Sequence, residues 1–486
     1  AGARTRASFP SQPDWTSCPA TPVRSHFGCV SAAMQPMRRG GRMIYALDVS
    51  PVGGNAPALP KLLWKAGCPS LVDDIGCTSG MTGIGQTWSQ PVVGRIKNGA
   101  ADVSPAPVAV FGGGYDSTAT KDLSGNVIAT SCEDQNSKTP SCVGRKGNLV
   151  YIVDAEGGPA TLLRTFALPG SNGTPGSVAG DVALLDANND GFVDYAYLAD
   201  TRGFVYRIDF VDGPTTLVPL ARSDWTIHQV AGSTGSGRKF LFEPTLFFNR
   251  NKVYVGLGSG DREHPLINQY PYTSPVTNRF YVFLDDPATT TYLNLDGATM
   301  ADAASDGVAD DGTATGTGAT CGTPAVLAST IGTRAGWYLS LTAHGTGEQV
   351  VTPAAIVSGQ VTFGTNRPLP ITGASCTNSL GEARGYLVDL VNGSGAIGTS
   401  GVCGGSTSTM YAGGGLPIPP DIGVTKLSDK NGNTVYVGTC IGCPPKDDRS
   451  GGGGNTQPVS DFKPTDPFDV KNETRRRVYW FTPGAK

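Results

Sequence analysis

Nine residues carry the clearest chemistry in this sequence: Asp186-Ala-Asn188-Asn-Asp190-Gly191-Phe192-Val-Asp194. Oxygen-bearing side chains stand at loop positions one, three, five and nine, with glycine at six. Ca²⁺ is a hard cation that takes six to eight oxygens at ~2.3–2.6 Å. Alternate spacing turns successive carboxylates toward one centre. Gly191 permits a sharp reversal, and the Phe192 carbonyl then points inward. The predicted ligands are Asp186, Asn188, Asp190, the Phe192 carbonyl and Asp194. Magnesium, which demands octahedral geometry and retains water, ranks second. An Asx-rich turn without an ion is the plain alternative. The loop is not an EF-hand, because position twelve is Tyr197 where a bidentate Glu is needed. Residues 302–310 echo the pattern, but Ala304 stands at position three and one ligand is missing. Residues 429–433, Asp-Lys-Asn-Gly-Asn, read better as a hairpin turn.

Catalytic patterns are lacking. The four histidines, His26, His228, His264 and His344, share no local motif with a nucleophile, and neither G-x-S-x-G nor H-E-x-x-H occurs. Asp261-Arg-Glu-His264 is the one dense polar cluster, and it reads as a hydrogen-bonded corner after Gly258-Ser-Gly260. The chain is therefore expected not to be an enzyme. A net charge of −3 gives no global field to hold nucleic acid. The one basic run, Arg475 to Arg477, reads as a solvated strand edge.

Eleven cysteines lie mostly in close pairs around turn-like segments, which suits an oxidising compartment and secretion. The expected disulfides are Cys18–Cys29, Cys68–Cys77, Cys132–Cys142, Cys376–Cys403 and Cys440–Cys443, with Cys321 left over. Zinc needs a second ligand pair near Cys440 and Cys443, and none is close in sequence. No apolar run reaches the length of a membrane span. The chain opens without a leader-like segment, as a processed end or a fragment boundary would.

These residues must be positioned by strands. The chain has 486 residues with 67 Gly and 36 Pro, yet 39% are hydrophobic. That suits many short strands joined by tight turns. Apolar strands closed by Asp recur: Met43-Ile-Tyr-Ala-Leu-Asp48, Leu149-Val-Tyr-Ile-Val-Asp154, Phe204-Val-Tyr-Arg-Ile-Asp209, Arg279-Phe-Tyr-Val-Phe-Leu-Asp285 and Gly385-Tyr-Leu-Val-Asp389. Strands ending in a glycine turn or Asp precede them, such as Val108-Ala-Val-Phe-Gly-Gly-Gly114 and Asp194-Tyr-Ala-Tyr-Leu-Ala-Asp200. Proline opens many of the units: Pro91, Pro244, Pro353 and Pro420. Alternation is expected to place one apolar set inward on each sheet. The fold class is all-β, a β-propeller with Gly/Pro-rich insertions at 298–320 and 446–466. Residues 1–40 are expected as an irregular lead-in, and residues 41–486 as one propeller domain with the metal loop at 186–194.

Several strings together resemble the C-terminal domain of the PilC/PilY family of type IV pilus proteins. They are Thr87-Trp-Ser-Gln-Pro91, Val108-Ala-Val-Phe-Gly-Gly-Gly-Tyr115, the acidic loop running into Tyr197-Leu-Ala-Asp200, and Gly258-Ser-Gly-Asp-Arg-Glu-His-Pro265. Met43–Asp48 before Leu63-Trp64 and the final Arg477-Val-Tyr-Trp480 add to them. The resemblance implies a modified, quinoprotein-like propeller with one calcium site, on the same ligands Asp186, Asn188, Asp190, Phe192 and Asp194. It implies that site occupancy gates pilus extension against retraction, hence twitching motility and surface attachment. It implies a place in the periplasm, outer membrane or pilus tip, with minor pilins or the tip complex and a host or surface receptor as partners. Integrin binding through Arg-Gly-Asp is not carried over, since the sequence lacks that motif. Two alternatives are a quinone-dependent dehydrogenase and a structural calcium-stabilised extracellular protein. The six tryptophans at irregular positions do not make the regular blade motif of such dehydrogenases.

Overall fold

The structure, a computed structural model, describes residues 32–49, 60–116, 120–121, 127–129, 133, 145–235, 237–263, 276–303, 334–369, 380–391, 393–397, 406–411, 414–428 and 434–444. Among them there is no α-helix, only two short 3-10 turns at Arg38–Gly40 and Arg222–Asp224.

Six sheets follow one another along the chain, with a small ribbon of Thr120–Lys121 and Val127–Ala129 beside them. The first sheet joins Ala32–Pro36, Arg42–Asp48 and Lys61–Cys68. The second is an antiparallel meander of Val92–Arg95, Pro107–Gly112, Leu149–Asp154 and Gly158–Ala167. The third runs through Ala183–Leu185, Tyr195–Ala199, Phe204–Asp209 and Thr226–Gly232, and takes Leu293–Asn294 as a parallel edge. Thr245–Asn249, Lys252–Gly258, Arg279–Asp285 and Gly336–Ser340 make the fourth, with Met300–Asp302 parallel at its edge. The fifth is built on Gln360–Arg367 and Glu382–Asp389, and the sixth pairs Asp421–Ser428 with Thr434–Ile441.

The expected strand pairs form. Val110 faces Ile152, Leu198 faces Tyr206, Gly256 faces Val282 and Phe363 faces Tyr386. Pro91, Pro244, Pro353 and Pro420 all lie just before strands, where a missing N–H costs no ladder bond. At Gly114, with φ +95°, a Cβ would run into the Gln86 carbonyl oxygen, so the glycine turn is obligatory.

Burial corrects the expectation of one apolar face per sheet. Both faces are buried, against different neighbours. Val108 and Val110 join a core with Ala196, Leu198, Tyr206 and Ile208 of the third sheet. Ala109 and Phe111 on the same strand point the other way, to Ile44, Ala46 and Trp64 of the first. The third sheet repeats this with Tyr195 and Tyr197, which pack on Val253, Val255 and Tyr281 of the fourth. Fourth and fifth meet through Phe280, Trp337, Phe363 and Tyr386, and fifth and sixth through Leu387, Ile422 and Cys440. The second to fifth sheets are thus each sandwiched by the sheets before and after them, the packing of propeller blades.

The expected lead-in also changes at its end. Ala32–Pro36 forms an edge strand on Arg42–Asp48, with Met34 opposite Ala46. Its sequence, Ala-Ala-Met-Gln-Pro, has little strand character, and pairing with a strong neighbour sets it. Cys68–Cys77 and Cys440–Cys443 are disulfide-bonded as expected. Cys18, Cys29, Cys132, Cys142, Cys321, Cys376, Cys403, residues 304–310, 429–433 and 446–466, His264 and the Arg475–Arg477 run lie outside the described residues.

Candidate metal loop

The acidic nonapeptide is the turn of a hairpin. Ala183–Leu185 enters antiparallel to Tyr195–Ala199 with Leu185 opposite Tyr195, and Asp194 donates its N–H to the Leu185 carbonyl at 2.8 Å. Asn189 (φ +68°) and Gly191 (φ +90°) take the left-handed conformations that the reversal needs.

Side chains then organise the backbone. Asp186 Oδ1 accepts from the Asn189 N–H at 2.6 Å, and its Oδ2 from Gly191 at 2.8 Å. Asn188 Oδ1 accepts from the Asp190 N–H at 2.8 Å, and Asp190 Oδ1 from Phe192 at 2.9 Å. Asp194 Oδ2 accepts from Ala187 across the loop at 2.7 Å. The Asn188 and Asp190 bonds are Asx-turn bonds, and together with the longer-reaching bonds of Asp186 and Asp194 they gather three carboxylates into nine residues.

Electrostatics sets the loop apart. Asp194 is buried, and its carboxyl is pushed up to about 7, first by burial and then by the charges of Asp186 and Asp190. Burial also raises Asp186. Among the described residues, the sole cation paired with these acids is Lys97, whose Nζ lies 3.2 Å from Asp190 Oδ2. The donor set fits a hard divalent cation. It offers only oxygens, carries more negative charge than its surroundings neutralise, and the bonded oxygens of Asp190 and Asp194 each accept one of the bonds named above and keep a second lone pair. The oxygens now face the loop's own amides. Among the described residues, Cys68, Asp74 and Cys77 are the group of three that lie within mutual ligand distance. That group is not a metal centre, since the cysteines are bonded to each other and Asp74 is held by Arg42 and Lys146, each at 2.8 Å.

The polar corner after Gly258-Ser-Gly260 is a buried ion pair: Lys239 Nζ lies 2.9 Å from Asp261 Oδ2 and donates to the Glu133 carbonyl at 3.1 Å. Two groups escaped sequence reasoning. Lys97 reaches the acidic loop from the preceding sheet. Arg207 joins Asp209 to Asp285 of the fourth sheet. Neither has a local motif. The alternating Tyr-Arg-Ile-Asp of the Arg207 strand was the one hint, since a buried Arg demands acids nearby.

Fold and loop together define a β-propeller with an acidic hairpin turn. Residues 26–222, which include the loop, match the PilY1 β-propeller domain family. The chain is similar to the type IV pilus biogenesis factor PilY1 of Pseudomonas aeruginosa strain PAO1, 29% identical over 177 residues. That stretch is 36% of this chain and 11% of the relative. The same factor from strain UCBPP-PA14 is 27% identical over 172 residues, 35% of this chain and 10% of that one. The matched stretch therefore spans about a tenth of the length of these relatives. The crystal structure of the P. aeruginosa PilY1 C-terminal domain shares the fold, with a TM-score of 0.52 and 17% identity over 83% of this chain and 79% of that one. Over residues 26–222 the chain is thus similar to the propeller domain of the PilC/PilY family. No helix among the described residues is long and apolar enough to cross a membrane.

Proposed function

We propose that this chain is a calcium-responsive, non-enzymatic module of type IV pilus biogenesis. It works at the pilus tip or outer membrane with minor pilins or the tip complex, biases extension against retraction, and takes part in attachment to a host or surface receptor. One observation carries this reading: the stretch matching the PilY1 β-propeller domain contains the acidic loop.

Calcium would supply a double positive charge that cross-links Asp186, Asn188, Asp190, the Phe192 carbonyl and Asp194. The rest belongs to the chain. The loop leads directly into Tyr195–Ala199, where the Tyr197 hydroxyl donates to Asp285 of the fourth sheet at 2.6 Å. On the other side, the Val193 N–H donates to the Arg95 carbonyl of the second sheet at 2.8 Å. A change in the loop therefore bears on two sheet junctions at once, which suits a control element.

The test is Asp194→Ala in piliated cells. The variant is expected to be made at normal levels while pilus number or twitching changes. Unchanged piliation and twitching in a variant that has lost calcium would leave a structural calcium site and refute the control role.

A further inference from the structure

The acidic loop already holds a cation of its own. Lys97 follows the strand Val92–Arg95 of the second sheet and reaches the loop of the third. Its ammonium lies 3.2 Å from Asp190 Oδ2 and 3.9 Å from the centroid of the Phe192 ring. It thus combines an ion pair with a cation–π contact. The approach is fixed by the backbone bond between Val193 and Arg95, which sets the two segments side by side. Lys97, Asp190, Phe192 and Asp194 line one small groove together with Phe210 and Leu217. The Lys97 side chain is 22% exposed and that of Asp190 38%, so the pair is reachable from solvent.

We propose that Lys97 is an internal competitor for the metal: it occupies Asp190 and the Phe192 ring in the ion-free loop, and calcium binds only against it. This rests on the calcium reading above. The physical reason is charge. An ammonium on one oxygen of Asp190 weakens that carboxylate as a ligand. If it stays while a divalent ion binds about 6 Å away, even a water-like dielectric gives a repulsion equivalent to roughly tenfold in affinity. If it leaves, its ion pair and cation–π contact are lost instead. Either route weakens the site, toward the ~10⁻⁴–10⁻³ M range in which extracellular calcium modules work. Lys97 also gives binding a structural output. Its release frees a side-chain tie between the second and third sheets, so occupancy is read at a blade junction.

The experiment compares the full chain with Lys97→Met and Lys97→Arg by calorimetric titration with calcium chloride. Methionine keeps the apolar stem against Phe192 and removes the charge. It should bind calcium roughly tenfold tighter than wild type at low salt, with the gap shrinking at ~1 M salt as charges are screened. Arginine should stay near wild type. In calcium-free buffer, Lys97→Met should melt below wild type, and it should gain more on calcium addition. Equal or weaker binding by Lys97→Met, with wild type still binding, overturns the competitor role and leaves the calcium site standing. Absence of binding by wild type and by Lys97→Met alike overturns the calcium reading itself, and the competitor role with it.

Discussion

Two acidic clusters lie side by side in the third sheet, and they are neutralised differently. Asp194 precedes Tyr195, which stands opposite Asp209 in the strand register. Asp209 and Asp285 share the guanidinium of Arg207, which is fully buried, with Nη2 3.0 Å from Asp209 and Nη1 2.7 Å from Asp285. Burial works against that charge, but the two carboxylates hold the Arg207 pKa above its ordinary value. A few residues away, Asp186, Asp190 and Asp194 have one lysine at the rim between them. Where the chain supplies its own cation inside, the acids serve as a permanent joint between sheets. Where it supplies one loosely at the edge, the acids are available to a cation from solution.

Breaking the first cluster should give the largest effect. Arg207→Met leaves Asp209 and Asp285 buried without their cation, and should cost on the order of 3–5 kcal/mol in denaturant unfolding. Calcium should not restore it. A variant as stable as wild type would mean that the joint carries no load and would erase the contrast.

A smaller effect is expected from pH, which separates acids raised by burial from an acid held down by neighbouring cations. Asp116 is pushed up to about 7 and Asp200 to about 6, both chiefly by burial. Their folded pKa lies above the unfolded one, so the folded chain binds more protons between pH ~4 and ~7. Stability in calcium-free buffer should then fall as pH rises from 5 to 8, by on the order of 1 kcal/mol per group. Asp74 behaves oppositely. Burial pushes it up, but Lys146 and Arg42 outweigh that and hold it below the usual carboxylate range. Its contribution is present above the unfolded pKa and is lost only as pH falls below ~4. Thermal midpoints measured across pH 3–8 should show both slopes. A steady rise from 5 to 8 would contradict the assignment.

Legibility in the sequence followed contact distance. The acidic loop could be read because its oxygens and its glycine lie within nine residues and bond one another. Cys68–Cys77 and Cys440–Cys443 were legible for the same reason. Strands such as Leu149–Asp154 showed themselves through apolar runs closed by Asp. The burial of both faces is present in those runs too, since Val108-Ala-Val-Phe111 has no polar alternate. Lys97 and Asp190 are 93 residues apart, and Arg207 and Asp285 are 78 apart. Pairs like these are brought together by the stacking of sheets, and no local spacing encodes them. The strand Ala32–Pro36 was hidden because its partner determines it.

The most direct test of the central claim is calorimetric titration of the full chain with calcium, beside Asp194→Ala. Asp194 is the most buried of the three carboxylates and ties the end of the loop back to Ala187. The wild type should bind calcium, and the variant should bind it at least tenfold more weakly, about 1.4 kcal/mol, while remaining folded. Equal affinity in the two proteins, or no binding heat in the wild type, would contradict the assignment of the loop as a calcium site.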